Sequence, residues 1–365
     1  MSALPQLRIR DVRTRAVLAP IRRQLRTSTG SVTQAPLLLI DLQTEQGVTG
    51  HAYLFGIQAF TLKPLHELVQ AMAGMIKGDV LAPFDLHQKL RARLTLLGPH
   101  NLAGIALSGL DMAAWDALAR GTEVPLVSLL GGLPGRVPAY NSNGLGIMPP
   151  DEAGDEAVQL VEEGFSAIKI RRGRFALRDD LAAVRAVRKR IPEDIVLMAD
   201  FNQALSVNEA IQRGTALDGE RVYWIEEPVR ADNFAGCARI ASELKTPVQI
   251  GENFSGPIQM QDALLARACD FVMPDAQRIG GVTGWLRAAS LAFAAGYEMS
   301  SHLFPEFSAH LLRVTPTCHW LEYVDWANPI LEEPLEIREG AAVVPDRPGA
   351  GLAWNEEAVG RYLLE

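Results

Sequence analysis

The sequence predicts an α/β fold, in which a (β/α)8-type (TIM-like) barrel carries an N-terminal α+β capping domain completed by the C-terminal tail. Three short apolar runs, IVLMAD, VYWIEEP and PVQIGEN, carry Asp200, Glu226 and Glu252, and successive acids are 26 residues apart. One strand, one helix and two loops fill such an interval, which is the repeat of a parallel barrel. A doubly wound open sheet is the alternative architecture. The eight candidate strands end near 141–143, 169–171, 200–202, Glu226, Glu252, Asp275, His302 and Glu322.

The part of the chain before the barrel has a different pattern. Residues 6–20 and 36–54 have the alternation and β-branched content of strands, whereas the apolar spacing from about 60 to 130 changes to three and four, which is typical of helices. Gly and Pro are concentrated at 129–140, which favours a domain boundary there. The predicted units are a capping domain at 1–130, a barrel at 131–330 and a C-terminal segment at 331–365 that packs back on the capping domain.

A polar segment at about 20–35 separates the first two predicted strands and carries Arg22, Arg23 and Arg26. Long connections inside a hairpin are usually functional or mobile. We interpret this segment as an active-site flap over the mouth of the barrel. A solvated loop without a role in catalysis is the alternative.

Composition excludes several classes of protein. Hydrophobic residues make up 48% of the 365 residues and the formal net charge is −8, which argues against a nucleic-acid or anionic-membrane partner. The three cysteines lack the spacing of a zinc site or a disulfide framework. The N-terminus MSALPQLRIR has no apolar stretch of the kind that directs export. We therefore expect a cytoplasmic protein.

The three regularly spaced acids predict a metal site. The carboxyl ends of barrel strands converge on one face, so Asp200, Glu226 and Glu252 should be neighbours. Three carboxylates in one cleft repel each other unless a cation joins them. Ligation by oxygen alone suits Mg²⁺, with Mn²⁺ as a substitute. In the alternative interpretation each acid is solvated or caps the helix that follows it.

Other strand ends carry residues that could act on a substrate. Lys169 and Arg171 are two residues apart, so both should point into the barrel mouth; a lysine of lowered pKa could act as a base, whereas arginine does so with difficulty. Ion pairs with neighbouring acids are the alternative role for both. Asp275 should lie beside His302 and raise its basicity. Glu322, as a protonated acid, could donate a hydrogen bond to an oxyanion.

The chain as a whole resembles the enolase superfamily and, within it, the mandelate racemase group. The stretches that carry the resemblance are RAVLAP, LLLIDL, DMAAWDAL, ADFNQ, WIEEP, GENF, MPDAQRIGGVTGW, MSSHLF, SAHLL and HWLE. The resemblance implies one Mg²⁺ per subunit, a small carboxylate substrate, and removal of the α-proton of a 2-hydroxy acid to give a metal-stabilised enediolate. It also implies a homo-oligomer, with an octamer as the family's habit.

The resemblance also assigns roles to individual residues. It implies Asp200, Glu226 and Glu252 as magnesium ligands, His302 with Asp275 as the catalytic dyad, Glu322 as the acid bonded to the substrate carboxylate, and Lys169 as the cation that neutralises it. Arg171 stands where the family has a second lysine, the base on the face opposite His302. The candidate substrate-binding residues are Asn202, Ser142, Arg26, Phe55 and Leu303.

Arginine at position 171 favours a reaction with one base, in which His302 removes the α-proton and then protonates a departing β-hydroxyl. This predicts an acid-sugar dehydratase, and the flap arginines would suit a polar substrate. Apolar residues at Phe55, Ile57, Leu303 and Val324 instead suit an aryl or alkyl 2-hydroxy acid. Racemisation or epimerisation, cycloisomerisation, and an inactive scaffold barrel are therefore the alternatives.

Overall fold

The chain folds into a three-stranded antiparallel sheet with helices, a closed barrel of parallel strands, and a tail that touches both. The computed structural model describes residues 6–28, 30–98 and 100–364. The N-terminal segment, which is not expected to direct export, includes residues 1–5, and these lie outside the described residues. The architecture confirms the predicted barrel with an N-terminal capping domain.

The capping sheet consists of β1 (Ile9–Arg26), β2 (Ser31–Thr44) and β3 (Thr49–Phe55), in that spatial order. The predicted long connection at 20–35 is wrong in its conformation, because β1 continues to Arg26 and β2 begins at Ser31. The flap is therefore the tip of a β-hairpin. Polar side chains in this stretch masked its strand character. The helices of this domain are α1 (Leu62–Ile76), α2 (Pro83–Arg93), α3 (Asn101–Gly121) and α4 (Leu126–Leu129).

Helix α3 joins the capping sheet to the barrel. Its length and mean hydropathy would suit a membrane span, but most of it is buried inside the protein, so it is a core helix. A side chain at Gly50 would have its Cβ 2.2 Å from the carbonyl oxygen of Ala113, so glycine is needed where β3 meets the helix. On its other side Trp115 donates a hydrogen bond from Nε1 to Oγ1 of Thr283 in the barrel, over 2.9 Å. The two domains are therefore fixed to each other.

Eight strands form the barrel, and each of the pairs between neighbours is parallel. The ring closes between the seventh and eighth strands, where the amide of Ser301 donates to the carbonyl of Trp320 over 2.9 Å. The strands are β4 (Arg136–Asn141), β5 (Ala167–Arg171), β6 (Val196–Asp200), β7 (Val222–Glu226), β8 (Val248–Ile250), β9 (Phe271–Val272), β10 (Glu298–Met299) and β11 (Leu321–Tyr323).

Helices follow the barrel strands and cover the ring. Strands β8, β9 and β10 end two or three residues before Glu252, Asp275 and His302, so these three residues lie in the segments that follow the strands. The helices are α5 (Pro150–Glu162), α6 (Leu177–Arg190), α7 (Val207–Leu217), α8 (Phe234–Glu243), α9 (Pro257–Leu265), α10 (Ala276–Ile279), α11 (Gly281–Ala295) and α12 (Pro305–Arg313).

The C-terminal tail contacts both units. It contains β12 (Ile337–Arg338), β13 (Ala341–Val343) and α13 (Glu356–Tyr362). Strand β13 pairs antiparallel with β4 of the barrel. Further on, Trp354 donates from Nε1 to Asp41 of the capping sheet over 2.6 Å. The tail thus ties the capping sheet to the first barrel strand.

Buried His310 on α12 should make the fold sensitive to acid. Its side chain is fully buried, and Nδ1 accepts a hydrogen bond from the amide of Val127 over 3.2 Å. Burial, reinforced by nearby Arg347, lowers the pKa of His310 to about 4. The unfolded chain therefore binds the proton first, so this contribution to stability is complete above the ordinary pKa of about 6.5 and is lost as the pH falls towards 4.

We expect His310→Asn, which keeps an acceptor but cannot be protonated, to remove about 2 kcal/mol of the stability loss between pH 8 and pH 5. Urea unfolding of both proteins at the two pH values measures this difference. The exposed histidine variant His100→Asn is the control. An unchanged pH dependence in His310→Asn would contradict the assignment.

Candidate active site

The three regularly spaced acids meet at the carboxyl end of the barrel. One carboxylate oxygen from each of Asp200, Glu226 and Glu252 lies within 4.8 Å of the other two. Asp200 and Glu226 are almost completely buried. Burial, and after it the charge of the neighbouring acids, raises the pKa of Glu226 and of Glu252 even though nearby cations lower it. A bound cation would relieve this repulsion.

The donor set fits Mg²⁺. Three carboxylates supply only oxygen atoms, and Mg²⁺ takes six oxygen ligands, so positions remain for water or a substrate carboxylate. Asn202 orients Asp200, since its backbone amide and its side-chain amide each donate to one carboxylate oxygen, over 2.7 and 2.8 Å. Asn202 adopts φ 45°, a strained conformation that these two bonds hold in place.

Lys169 is surrounded by acids. Its Nζ lies 2.5 Å from Glu226, 2.8 Å from Glu322 and 3.4 Å from Asp200. Although burial lowers the pKa of Lys169, these three carboxylates raise it well above its ordinary value. The expectation of a lysine with a lowered pKa is therefore wrong for this arrangement, because the acids outweigh both burial and Arg171. Lys169 is therefore charged in the metal-free site.

Arg171 also points into the barrel mouth, but it contacts the loop after β4. The guanidinium donates to the carbonyl of Gly144 over 2.9 Å and to the carbonyl and Oγ of Ser142 over 3.1 and 2.7 Å. Within the described residues it forms no ion pair, so the alternative of an ion-paired arginine is not realised. Arg171 is 4% exposed.

His302 and Asp275 form the expected pair. The Nδ1 atom of His302 lies 2.7 Å from Asp275, whose other oxygen accepts from the amide of Gln277 over 2.8 Å. The Nε2 atom faces the site, 3.4 Å from Glu252 and 3.7 Å from Glu322. Burial lowers the pKa of His302, but the three acids outweigh it and raise the value to about 9.

Glu322 is held as a carboxylate. One oxygen accepts from Ser142 Oγ over 2.7 Å and contacts Lys169, and the other accepts from the amide of Leu303 over 2.9 Å. Burial raises the pKa of Glu322, but Lys169, His302 and these hydrogen bonds lower it far below its ordinary value. The predicted protonated form is thus wrong for the ligand-free site. Leu303 adopts φ 48°, which aims its amide at Glu322.

A cavity of about 160 Å³ opens over these groups. The polar groups at its base are Lys169, Arg171 and His302 with several acids, and its apolar lining comes largely from the capping sheet. Phe55 and Leu303 line it as predicted, whereas Val324 lies behind them around a smaller cavity. The apolar lining residues are Leu25, Val32, Phe55, Ile57, Leu303 and Trp326.

Two predicted substrate-binding residues lie elsewhere. Arg26 is exposed and does not line the cavity, because side chains alternate along β1 and its neighbours Leu25 and Thr27 point inward. Ser142 is buried behind Glu322 and is absent from the lining. Arg22 and Arg23 both pair with Glu163 on the outside of the barrel, each over 2.7 Å. Among its described residues, the flap therefore lines the cavity with two apolar side chains and a threonine, while its arginines lie outside.

Several lining residues escaped the sequence reasoning. Gln277 accepts from the amide of Phe55 over 3.0 Å and donates back to its carbonyl, which holds the end of β3 against the barrel. Strand alternation could have found Leu25 and Thr27, once β1 was known to reach Arg26. No local signal marks Trp326, which follows the last barrel strand.

A larger cavity of about 410 Å³ lies between α2, α3, α9 and α11. It contains Arg91, Arg278 and Arg287 but none of the clustered acids. The clustered acids therefore identify the smaller cavity as the active site, although the other cavity has the larger volume. Arg278 lines both cavities and forms part of the wall between them.

Fold and site together define a barrel enzyme that uses a divalent metal. Two family models match the chain: "Mandelate racemase / muconate lactonizing enzyme, N-terminal domain" at residues 9–131, and "Enolase C-terminal domain-like" at residues 152–358. The chain belongs to the mandelate racemase and muconate lactonizing enzyme family of the enolase superfamily. It is a magnesium-dependent enzyme of the mandelate racemase group, which confirms the predicted family and cofactor and sets aside the inactive scaffold.

Curated relatives catalyse different reactions. L-talarate/galactarate dehydratase of Salmonella typhimurium is 30% identical, with 90% of this chain and 82% of that protein covered. D-galactarolactone cycloisomerase of Agrobacterium fabrum is 31% identical, with 90% and 91% covered. Hydrophobic dipeptide epimerase of Enterococcus faecalis is 24% identical, with 80% and 81% covered. Membership of the family therefore leaves the reaction and the substrate open.

Two solved structures are more similar. An enolase from the alphaproteobacterium bal199 with bound magnesium is 47% identical, with 98% of this chain and all of that chain covered and a TM-score of 0.96. An enolase from Bradyrhizobium complexed with magnesium and mandelic acid is 44% identical over the full length of both chains, with a TM-score of 0.95.

Proposed function

We propose that this enzyme is an acid-sugar dehydratase that acts on an aldonate or aldarate and uses His302 as its principal base. The observation that carries the proposal is the difference between the two sides of the cavity. One side has the His302–Asp275 pair, and the other has Arg171, whose guanidinium is a poor general base and is bonded to the β4–α5 loop. One side can exchange protons readily and the other cannot.

In this proposal Asp200, Glu226 and Glu252 hold the magnesium ion, which when bound supplies positive charge that makes the α-proton of a carboxylate more acidic. Lys169 lies between the metal ligands and Glu322, where its charge stabilises a substrate carboxylate. Burial keeps water away from these charges and strengthens their interactions.

His302 then carries out the proton transfers. In its neutral form it takes the α-proton through Nε2, and Asp275 stabilises the imidazolium that results. The imidazolium returns this proton to the β-hydroxyl as the β-carbon–oxygen bond breaks, so that water leaves and an enol remains. The enol then gives a 2-keto acid. General acid–base catalysis of this kind contributes about 10² to 10⁴ in rate.

A second candidate is a reaction of an aryl or alkyl 2-hydroxy acid, either racemisation or epimerisation. The apolar wall of the cavity favours it, and the Bradyrhizobium structure was solved with mandelic acid. Arg171 argues against it, because a racemase needs a competent base on each face. Cycloisomerisation would also use one base, and D-galactarolactone cycloisomerase is among the relatives.

Incubation with Mg²⁺ in deuterated water separates these reactions. Aldonates and aldarates are screened for 2-keto acid products, with mandelate as the comparison, and NMR follows the α-proton. We expect dehydration of an acid sugar. We also expect deuterium to enter the α-carbon of substrates of one configuration at that carbon only. Exchange at both configurations would favour a racemase and contradict the one-base proposal.

We also propose that the enzyme is a cytoplasmic homo-oligomer, with an octamer as the upper state. Large apolar side chains are exposed at Leu96, Leu97, Ile258 and Phe293, which supports self-association. The thiols of Cys237 and Cys269 are free and buried, which suits a reducing compartment. Light scattering of the purified protein measures its mass in solution. A monomer at micromolar concentration would contradict the proposed homo-oligomer.

A further inference from the structure

The loop between β4 and α5 connects two parts of the active site. Ser142 in this loop donates to Glu322 over 2.7 Å. The amide of Ile147 donates to the carbonyl of Arg26 at the end of β1 over 2.7 Å. The same loop therefore touches the carboxylate at the bottom of the cavity and the hairpin that covers it.

Arg171 is one of several residues that hold this loop, with Glu156, which accepts from the amide of Leu145, and Arg172, which donates to the carbonyl of Gly146. The guanidinium of Arg171 makes three hydrogen bonds to Ser142 and Gly144, and its backbone amide donates to the carbonyl of Leu145 over 2.9 Å. Leu145 has φ 43°, which is unusual for a residue other than glycine, so the loop is in a conformation that needs outside support. Lysine at this position would offer one ammonium group in place of a planar fork, and it could not bridge both carbonyls in the same way.

The contact with the hairpin is close enough to transmit a shift. A Cβ atom at Gly146 would lie 2.6 Å from the carbonyl oxygen of Arg26 and 2.7 Å from its amide nitrogen. The residues on either side of Arg26, Leu25 and Thr27, line the cavity. A displacement of the loop at Gly146 therefore moves the lining that the hairpin contributes.

From these contacts we infer that Arg171 is a positioning residue with two separate effects, a role different from that of a second base. Through Ser142 it sets the orientation of Glu322, and through Gly146 it seats the end of β1 over the substrate. The kinetic tests of this inference rest on the proposed function, because they measure turnover. The hydrogen-exchange test does not.

Three variants separate the two effects. Ser142→Ala removes the bond to Glu322 and one of the three guanidinium bonds of Arg171, and it leaves the hairpin contact in place. Since bonds to a charged group are the strong ones, we expect kcat to fall about 10- to 100-fold with KM within about twofold. Gly146→Ala displaces the hairpin; we expect KM to rise about tenfold with a smaller change in kcat. Arg171→Met should show both changes.

Hydrogen exchange measured by mass spectrometry gives a readout that does not depend on turnover. In Arg171→Met we expect amides of 142–147 and 22–28 to exchange about tenfold faster. In Gly146→Ala only 22–28 should change, and in Ser142→Ala neither segment. Gly74→Ala is the matched control, because a Cβ at Gly74 meets nothing within 4 Å.

Two results would overturn the inference: an Arg171→Met protein in which both segments exchange as in the wild type, or a Ser142→Ala protein with unchanged kcat. Failure of the proposed function looks different. It would appear as deuterium exchange at both configurations by the wild-type enzyme, while the exchange rates of the two segments would still respond to Arg171→Met.

Discussion

Replacing His302 by asparagine should lower turnover and α-proton exchange by about 10³-fold or more, because general-base catalysis contributes about 10² to 10⁴ and Arg171 cannot take over the role. This corresponds to about 4 kcal/mol of transition-state stabilisation. Asparagine keeps a polar group near Asp275, so the fold should be preserved. The measurement is kcat for product formation together with NMR of the α-proton in deuterated water.

The variant His66→Asn is a suitable control for this experiment, since His66 bonds to Thr14 in the capping domain, away from the cavity. Asp275→Asn should also lower kcat, because the imidazole would lose the carboxylate that stabilises its charged form. If His302→Asn retained a tenth or more of the wild-type rate, another group would have to be the base.

Removal of the metal should abolish activity and lower the melting temperature. Ligand binding to the folded state alone stabilises a protein by about 2.7 kcal/mol at a concentration of 100 times Kd. In this protein the ion would also relieve repulsion between Asp200, Glu226 and Glu252. We therefore expect treatment with a chelator to destabilise the protein, and Mg²⁺ or Mn²⁺ to restore both stability and turnover.

Asp200→Asn tests which residues bind the ion. It is nearly isosteric and retains the neighbouring Asn202, but it removes one of three anionic ligands, so Mg²⁺ at the wild-type saturating concentration should no longer raise the melting temperature. Thermal melts and calorimetric titration with Mg²⁺ measure the loss. Asp232→Asn, a change at an exposed acid that pairs with Arg230, is the control. Equal Mg²⁺ affinity in Asp200→Asn and wild type would refute the assignment.

Some features followed from the sequence because they depend on local order along the chain. The acids at Asp200, Glu226 and Glu252 recur with the period of one β/α unit, and a parallel barrel brings equivalent positions of successive units together. The same reasoning placed Asp275 beside His302. These predictions needed only the order of the strands.

Other expectations failed because they concerned orientation and charge. The flap was expected to place Arg26 in the cavity, but continuation of β1 turns that side chain outward and brings Leu25 inward. Lys169 was considered for a lowered pKa, but three carboxylates from other strands surround it and raise the value. Neither outcome could be derived from neighbours in the sequence.

The sequence by itself determined the barrel, its family and the set of acids, since strand periodicity and repeat length are properties of the chain. Only the tertiary structure decided what Arg171 contacts, which charge Glu322 carries and which side of the hairpin faces the cavity. The physical reason is that burial and electrostatic coupling depend on distances between residues far apart in the chain, such as the 2.7 Å from Ser142 to Glu322.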